Sequence, residues 1–236
     1  MDGEPADGVT SILDKGVAKP ALIGWAANTT AGYAVDHWDD LAALPFSQRL
    51  DVLKRCRYED RDAAARRGTE VHGYAHRLAT GEAVTPPDEL VGHVDAYLAF
   101  ADEWQVSEIL TEVTVGNRRY RYMGTLDCVA HLGDGQVWLL DFKTNRSGVY
   151  LETALQLAAY RHAEFYLDTD GQEQPMPEVD AVGALWLRAD GYDLYPIDAG
   201  EQVFRSFLYA QQVARFISQP RETVIGESLV VPEVAV

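Results

Sequence analysis

Three β-rich stretches between residues 107 and 144, with two aspartates and a lysine among them, constrain the fold more than any other part of this chain. The stretches read SEILTEVTVG, RRYRYMGTLDCVAHL and QVWLLDFKT, and turn signals separate them, GN at 116 and 117 and GDG at 133 to 135. β-Branched and aromatic residues bounded by such turns predict strands in an antiparallel meander. Charged side chains are rarely left unpaired in such apolar strands. Asp127, Asp141 and Lys143 therefore need partners.

Asp141 and Lys143 lie two residues apart in the third stretch. Because strand side chains alternate between faces, we expect these two to share one face, about 6 to 7 Å apart. Antiparallel pairing through the GDG turn is expected to bring Asp127 to the same end of the hairpin. Two carboxylates this close repel each other, and a divalent cation such as Mg²⁺ relieves the repulsion. The spacing leaves one alternative open, a buried Asp–Lys ion pair with Asp127 capping a turn.

Helix and strand signals around the meander indicate the fold class. They predict an α/β fold with a mixed β-sheet flanked by helices and a helical N-terminal region, rather than a parallel doubly wound sheet. The predicted divisions are a helical N-terminal region packed on the core at 1–58, a core at 59–219 and a C-terminal tail at 220–236. The predicted helices lie at 20–35, 39–57 with a break near Pro45, 59–78, 88–104, 151–166 and 200–218, and further strands lie at 181–189 and near YDLYPI.

Two further candidate site residues lie before the hairpin. Glu112 sits in LTEVTV among apolar neighbours. His72 follows Gly68 on the long predicted helix, where a missing side chain permits close approach to the sheet. His76 lies one turn after His72, so a zinc site through both histidines is a second hypothesis. It is the weaker one, because no third soft ligand and no metalloprotease glutamate accompany the histidines.

Four short motifs occur in a fixed order along the chain. They are GTEVH at 68–72, GTLD at 124–127, DFKT at 141–144 and QLAAY at 156–160. Together they resemble the PD-(D/E)xK nuclease superfamily, specifically its RecB-like branch, which includes phage exonucleases and CRISPR adaptation nucleases. The resemblance spans about residues 60 to 166 and extends more weakly to VTSILDKGVAKPALIGWA near the N-terminus. It implies a restriction-endonuclease-like core.

Carried over position by position, the resemblance implies a metal site. Asp127, Asp141 and the backbone carbonyl of Phe142 correspond to metal ligands, and His72 to a helical histidine that contacts a metal in this branch. Glu112 is a further acidic candidate. The implied cofactor is Mg²⁺ or Mn²⁺, and an imidazole in the ligand set favours Mn²⁺ relative to an all-oxygen site.

The resemblance also implies the residues that act on the substrate. Lys143 corresponds to the catalytic lysine of the family, beside the two aspartates. Gln156 and Tyr160 match the trailing motif, and they lie four residues apart on one helix face. Several relatives bind an iron–sulfur cluster through four cysteines. This chain has two, Cys56 and Cys128, so we expect no such cluster.

Positive charge is concentrated in a few segments of an acidic chain. The net charge is −17, yet segments 54–77, 117–121 and 141–146 hold 12 of the 20 Lys and Arg and 5 of the 37 Asp and Glu. An acidic surface repels a polyanion such as DNA, so these basic segments are the candidate DNA contacts. The alternative is that they are ordinary solvent-exposed faces of helices and loops. We expect single- or double-stranded DNA as partner, with a protein partner or a homo-oligomer adding affinity. The candidate DNA-binding residues are Arg66, Arg67, Arg118, Arg119 and Arg146.

The sequence thus predicts a metal-dependent deoxyribonuclease, preferentially an exonuclease, acting in DNA recombination, repair or phage DNA processing. Its phosphodiester hydrolysis is expected to use in-line attack of water activated by the metal. Two rivals stay open, a catalytically silent nucleic-acid-binding or scaffold subunit of a nuclease complex, and a metallo-phosphohydrolase acting on small nucleotides. The acidic N-terminus lacks signal-peptide features, and no apolar run is long enough to span a membrane, so we expect a cytoplasmic protein.

Overall fold

The computed structural model describes residues 5–229, except for the side chain of Asp60. A sheet with helices on both faces makes up the molecule. Its helices in that range are α1 (Val9–Gly16), α2 (Pro20–Asp36), α3 (Trp38–Ala43), α4 (Phe46–Ala79), α5 (Asp88–Glu103), α6 (Leu151–Arg161) and α7 (Glu201–Ile217), followed by a 3₁₀ turn at Arg221–Thr223. Its strands are β1 (Asp7–Gly8), β2 (Ser107–Asn117), β3 (Tyr122–His131), β4 (Val137–Lys143), β5 (Phe165–Leu167), β6 (Glu173–Pro175), β7 (Ala181–Arg188) and β8 (Gly191–Pro196).

The sheet is mixed, as the sequence predicts. Its strand order is β6-β5-β2-β3-β4-β7-β8, with β1 pairing parallel to β3. β2, β3 and β4 form the expected antiparallel meander, and β4 pairs parallel to β7 through the crossover that contains α6. The predicted α/β class with a mixed sheet flanked by helices is therefore confirmed.

Helices cover both faces of the sheet, so its central strands are buried on both sides. One face packs against α1, α6 and α7, with Leu139 and Phe207 in that core. The other face packs against α5 and the C-terminal half of α4, with Leu140 and Phe100 in that core. Leu139 and Leu140 are consecutive in β4 and enter different cores, which explains why this strand is an unbroken apolar run.

Helix α4 is longer than predicted. The sequence predicts separate helices at 39–57 and 59–78, whereas one helix of 34 residues runs from Phe46 to Ala79, starting directly after Pro45. No glycine or proline occurs between Phe46 and Gly68, so nothing in the chain ends the helix near residue 58. The predicted division between 58 and 59 falls inside this helix.

Several short elements differ from the sequence-based prediction. Residues 9–16 form helix α1, and its Val9, Ile12 and Leu13 are buried in the core. The helix predicted at 151–166 ends at Arg161, because residues 165–167 instead pair with β2 and β6. Residues 220–229 are exposed, and the rest of the predicted tail lies outside the described residues. Between residues 5 and 229, no helix combines the length and apolarity needed to cross a bilayer.

Candidate metal centre

Strands β2 and β3 and helix α4 meet at the predicted site. The register pairs Thr111 with Cys128 and Val113 with Leu126, which sets Glu112 opposite Asp127. A Cβ added at Gly68 would lie 3.3 Å from Oγ1 of Thr144, so the glycine lets α4 approach the end of β4 closely. His72 follows one turn later on that helix. Residues distant in sequence thereby reach one point at the sheet.

His72 lies between two carboxylates and a carbonyl. Its Nδ1 lies 3.4 Å from Oε1 of Glu112 and 3.4 Å from Oδ1 of Asp127. Its Nε2 lies 2.9 Å from the carbonyl oxygen of Phe142, to which a protonated Nε2 donates. One ligand atom from each of His72, Glu112 and Asp127 falls within 4.8 Å of the others, so the three form a candidate metal site.

Asp141 and the predicted catalytic residues form a chain of contacts beside this group. Oδ2 of Asp141 lies 2.6 Å from Nζ of Lys143. Lys143 donates a hydrogen bond of 3.2 Å to Oε1 of Gln156, and Nε2 of Gln156 donates one of 3.4 Å to Tyr160 Oη. Asp127 does not cap a turn, because its Oδ2 accepts a 2.6 Å hydrogen bond from the backbone N–H of Phe142 on the neighbouring strand. The predicted Asp141–Lys143 ion pair is present, and the carboxylates grouped with His72 are Glu112 and Asp127, while Asp141, predicted as a metal ligand, is not in that group.

Burial and neighbouring charges shift the protonation of the site. Burial raises the pKa of Asp141 from 3.8 to about 6, although the ammonium of Lys143 opposes the shift. Burial acts to lower the pKa of His72, but Asp127 and Glu112 outweigh it and raise the pKa to about 10. Burial also acts to lower the pKa of Lys143, but the carboxylate of Asp141 outweighs burial, so the pKa is raised. His72 and Lys143 are thus cationic near neutral pH.

Glu112 is held against its local preference. Its φ of 51° lies in the left-handed region that is costly for a residue with a side chain. Its Oε1 is buried and accepts no hydrogen bond from the described residues, although Nδ1 of His72 lies 3.4 Å away. A buried carboxylate oxygen without a hydrogen bond is unfavourable. A divalent ion bound at Glu112 would replace the charge of the imidazolium with a larger one.

The donor set fits a divalent ion with mixed nitrogen and oxygen ligands. Two carboxylates and one imidazole suit Mn²⁺, and the carboxylates also suit Mg²⁺. Ligands on opposite sides of an ion at about 2.1 Å lie about 4.2 Å apart, close to the observed spread. His76 does not belong to this group, since its Nδ1 lies 2.7 Å from Oγ1 of Thr111. The Phe142 carbonyl, predicted as a ligand, orients the His72 ring in this structure.

The predicted DNA-binding arginines divide into two sets. Arg66, Arg67 and Arg146 line one cleft that continues from the end of β4. Arg118 and Arg119 lie at the turn between β2 and β3, where Arg118 pairs with Glu173 and stacks on Phe165, and Arg119 stacks on Tyr120. The structure places the first set beside Thr144 and Asn145, which follow Lys143 in the chain, and it places the second set at the turn between β2 and β3.

Two polar residues of that cleft carry no sequence signal for a site. His93 lies on α5, and Asn145 follows DFKT at the end of β4. A histidine in an amphipathic helix and an asparagine after a strand are both ordinary. Their joint placement depends on how α5 packs beside α4, which no local pattern encodes.

Comparison with known proteins adds little to this description. No protein-family model and no curated protein sequence matches the chain. A solved structure described as the crystal structure of SSO0001 is 12% identical, with a TM-score of 0.40, over 93% of this chain and 79% of that chain. A similarity at that level carries no argument about fold or function. The functional conclusion therefore depends on the residues of the site.

Proposed function

We propose that this protein is a metal-dependent deoxyribonuclease with a restriction-endonuclease-like core, using Mg²⁺ or Mn²⁺ to hydrolyse phosphodiester bonds. The observation that carries the proposal is the grouping of His72, Glu112 and Asp127 directly beside the Asp141–Lys143 pair. A cation site next to a partly buried ammonium is the arrangement that phosphoryl chemistry needs, since negative charge builds up on the phosphate. The resemblance of the four motifs to PD-(D/E)xK nucleases points to the same chemistry.

Each residue has a distinct role in the proposed reaction. Glu112 and Asp127 offer carboxylate oxygens, and His72 offers Nδ1. A divalent ion bound there would supply positive charge to the scissile phosphate and lower the pKa of water. Lys143, held by Asp141 and Gln156, stabilises the negative charge that develops on the phosphate oxygens.

Tyr160 positions this lysine indirectly. It is 2% exposed and contacts Gln156, whose amide oxygen accepts from Lys143. Gln156 and Tyr160 therefore hold Nζ of Lys143 in place by a chain of hydrogen bonds. Preorganised donors of this kind lose little free energy to reorganisation during the reaction.

We further propose that the substrate is DNA, that cleavage proceeds from ends, and that the protein acts in the cytoplasm in DNA recombination, repair or phage DNA processing. The support for DNA and for end-directed cleavage is the resemblance to a branch that includes phage exonucleases. Cys56 and Cys128 are both free thiols, which fits a reducing compartment. Cleavage of linear but not of circular DNA is the expected product pattern.

A cleavage assay tests the proposal directly. Purified protein is incubated with end-labelled linear, circular and single-stranded DNA in Mn²⁺, Mg²⁺ or EDTA, with mononucleotides as a further substrate. We expect Asp127→Asn, Asp141→Asn and Lys143→Ala each to lower the cleavage rate by about 100-fold or more. Asp95→Asn, an exposed position on α5, is the matched control and should cleave as the wild type does. Equal residual cleavage by wild type and all variants contradicts the proposal.

A catalytically silent nucleic-acid-binding or scaffold subunit is the second candidate. Ion pairs within the protein favour this second candidate. Lys143 and the cationic His72 already balance part of the buried negative charge without a metal ion. Calorimetric titration with Mn²⁺ separates the two. Absence of binding, or binding that is unchanged in Asp127→Asn, favours the silent subunit.

A further inference from the structure

A cleft of about 610 Å³ lies at the end of β4, where Thr144 and Asn145 follow Lys143. Helices α4 and α5, the segment after β4 and the end of β7 form its walls. Ligand-binding clefts span about 300 to 1,000 Å³, so this one accommodates a group as large as a nucleotide. Its lining residues that carry charge or hydrogen-bonding groups include Arg66, Arg67, Glu70, His93, Asn145 and Arg146.

The cleft holds three arginines that form no ion pair with the described residues, although the carboxylates of Glu70 and Glu89 also line it. Among the described side chains, Arg66, Arg67 and Arg146 form no ion pair or hydrogen bond. Arg188, at the far wall, is different, because it pairs with Asp190 and Asp193. Unpaired guanidinium groups in a chain of net charge −17 make a local site for an anion such as a phosphate.

The cleft also presents polar groups that a phosphate alone does not satisfy. Nδ2 of Asn145 donates to the carbonyl oxygen of Gly148 at 2.9 Å, which leaves Oδ1, an acceptor, buried and without a partner. Nδ1 of His93 is also buried, it has no partner among residues 5–229, and the residue is 9% exposed. Burial and the nearby Arg67 lower the pKa of His93, so its neutral ring carries one donor and one acceptor. A phosphodiester has only acceptors, whereas nucleobases have both.

The cleft continues into the site that holds Lys143. Thr144 and Asn145, both in the cleft lining, directly follow that lysine in the chain. Asn145 also lines a second pocket, of about 180 Å³, together with Lys143 and Gln156. A nucleic-acid strand that passes Lys143 along residues 144–146 therefore runs from the second pocket into the cleft.

A single strand suits the cleft better than a duplex does. Bases in a double helix are stacked and paired, so their hydrogen-bonding edges do not reach buried groups in a protein wall. Unpaired bases can turn out of the strand and be read at those edges. His93 and Asn145 are buried groups of that kind.

We propose that this cleft is a subsite for one unpaired nucleotide next to the scissile phosphate, with Arg66, Arg67 and Arg146 on its phosphates and with His93 and Asn145 on its base. The proposal rests on the proposed function for the identity of the neighbouring site. It adds a preference for single-stranded or frayed DNA, which the motifs do not specify.

Equilibrium binding in EDTA tests the subsite without cleavage. Fluorescence anisotropy is measured with a labelled oligothymidylate, a blunt duplex of equal length and an abasic single strand. We expect the Arg66→Ala/Arg67→Ala double variant and Arg146→Ala to weaken oligothymidylate binding about 10-fold, and the salt slope to fall by about 0.7 for each lost phosphate contact. Arg55→Ala is the matched control, since Arg55 is exposed on the same helix outside the cleft, and it should bind within about 2-fold of wild type.

A comparison of the oligothymidylate with the abasic strand tests the proposed contact with the base. Wild type should bind the oligothymidylate more tightly than the abasic strand by about 5-fold or more, and Asn145→Ala should remove most of that difference. Thermal unfolding of each variant checks that the fold is retained. A base preference that persists in Asn145→Ala overturns the assignment of the base to this wall.

Other results overturn the subsite itself. Absence of oligothymidylate binding by wild type up to about 100 µM, equal affinity for the duplex, or cleft variants that bind like Arg55→Ala would each do so. The cleavage assay in Mn²⁺ is read separately. Cleavage without cleft-dependent binding contradicts the subsite alone, and cleft-dependent binding without cleavage contradicts the proposed nuclease activity alone.

Discussion

His72 is the residue at which the long helix meets the sheet. Its Nδ1 faces Glu112 and Asp127, and its Nε2 faces the carbonyl of Phe142. Because the two carboxylates raise its pKa to about 10 against the opposing effect of burial, the ring is an imidazolium at neutral pH. In the protein without metal, this ring therefore supplies the positive charge that the carboxylates need. A metal ion that binds here has to replace the positive charge of this ring.

Binding of Mn²⁺ is accordingly expected to release about one proton per ion at pH 7.5, because Nδ1 must lose its proton to act as a ligand. Calorimetric titrations in buffers of different ionisation enthalpy measure that number. His72→Ala should release markedly fewer protons, while His37→Ala, at an exposed position, should match wild type. Proton release that is unchanged in His72→Ala would show that the imidazole does not bind the ion.

Asp141 makes the stability of the metal-free protein depend on pH. Burial raises its pKa from 3.8 to about 6, so its ionised form is less favourable in the fold than in the unfolded chain. This loss of unfolding free energy is largest above pH 6, and it disappears as the pH falls through 6 towards 4. Asp141→Asn avoids it. Between pH 5 and pH 8, the unfolding free energy of Asp141→Asn should therefore rise by about 1 kcal/mol relative to wild type.

Urea unfolding in EDTA at several pH values measures this difference. Asp95→Asn, an exposed position on α5, is the control for the substitution itself. A difference between Asp141→Asn and wild type that does not change with pH would mean that Lys143 cancels the effect of burial.

At the scale of elements, close packing of α1 on α7 holds the N-terminal segment to the core. A Cβ added at Gly16, at the end of α1, would lie 2.1 Å from the carbonyl oxygen of Ala210 in α7. Asp7, just before α1, accepts hydrogen bonds from Gln211 and Arg215 of α7. Residues 7–16 are therefore part of the core rather than an appendage to it.

Gly16→Ala should lower the unfolding free energy by about 2 to 3 kcal/mol, because backbone atoms of α7 cannot move aside cheaply. Gly24→Ala is the matched comparison within helix α2, where nothing lies within 4 Å of an added Cβ. It should raise the unfolding free energy by about 0.5 to 1 kcal/mol through helix propensity. Chemical denaturation of both variants checks the contrast, and similar effects of the two substitutions would contradict the packing of α1 on α7.

At the scale of the whole molecule, the candidate ligands connect separate parts of the chain. His72 belongs to α4, Glu112 to β2 and Asp127 to β3. An ion bound by all three joins the helix to the sheet, and it binds the folded state alone. Such binding stabilises the fold by about 2.7 kcal/mol at an ion concentration 100 times the dissociation constant.

Saturating Mn²⁺ should therefore raise the melting temperature of wild type by about 5 to 10 °C over its value in EDTA. The shift should be largely lost in Asp127→Asn and kept in Asp95→Asn. Differential scanning calorimetry measures all three proteins. A shift of the same size in Asp127→Asn would place the bound ion elsewhere on the molecule.

Much of the fold was predictable because its signals are local. The turns at 116–117 and 133–135 and the β-branched runs predict the meander, and the structure confirms it. The length of α4 was not predicted, because the charged residues around 58 resemble a boundary although none of them ends a helix. Strands β5 and β6 have three residues each, too few for a periodic pattern, and they depend on the pairing of β5 with β2 and of β6 with β5.

Strand alternation and a short turn suffice to place Asp127, Asp141 and Lys143 at one end of a hairpin, so that grouping could be predicted from local sequence. Tertiary packing brings Glu112 and His72 to Asp127, and it brings His93 and Asn145 into one cleft with three arginines. These groupings depend on the register of β2 against β3 and on how closely α4 and α5 pack beside the sheet. Contacts between residues so far apart in the chain arise from packing of whole elements, and no local pattern of residues encodes them.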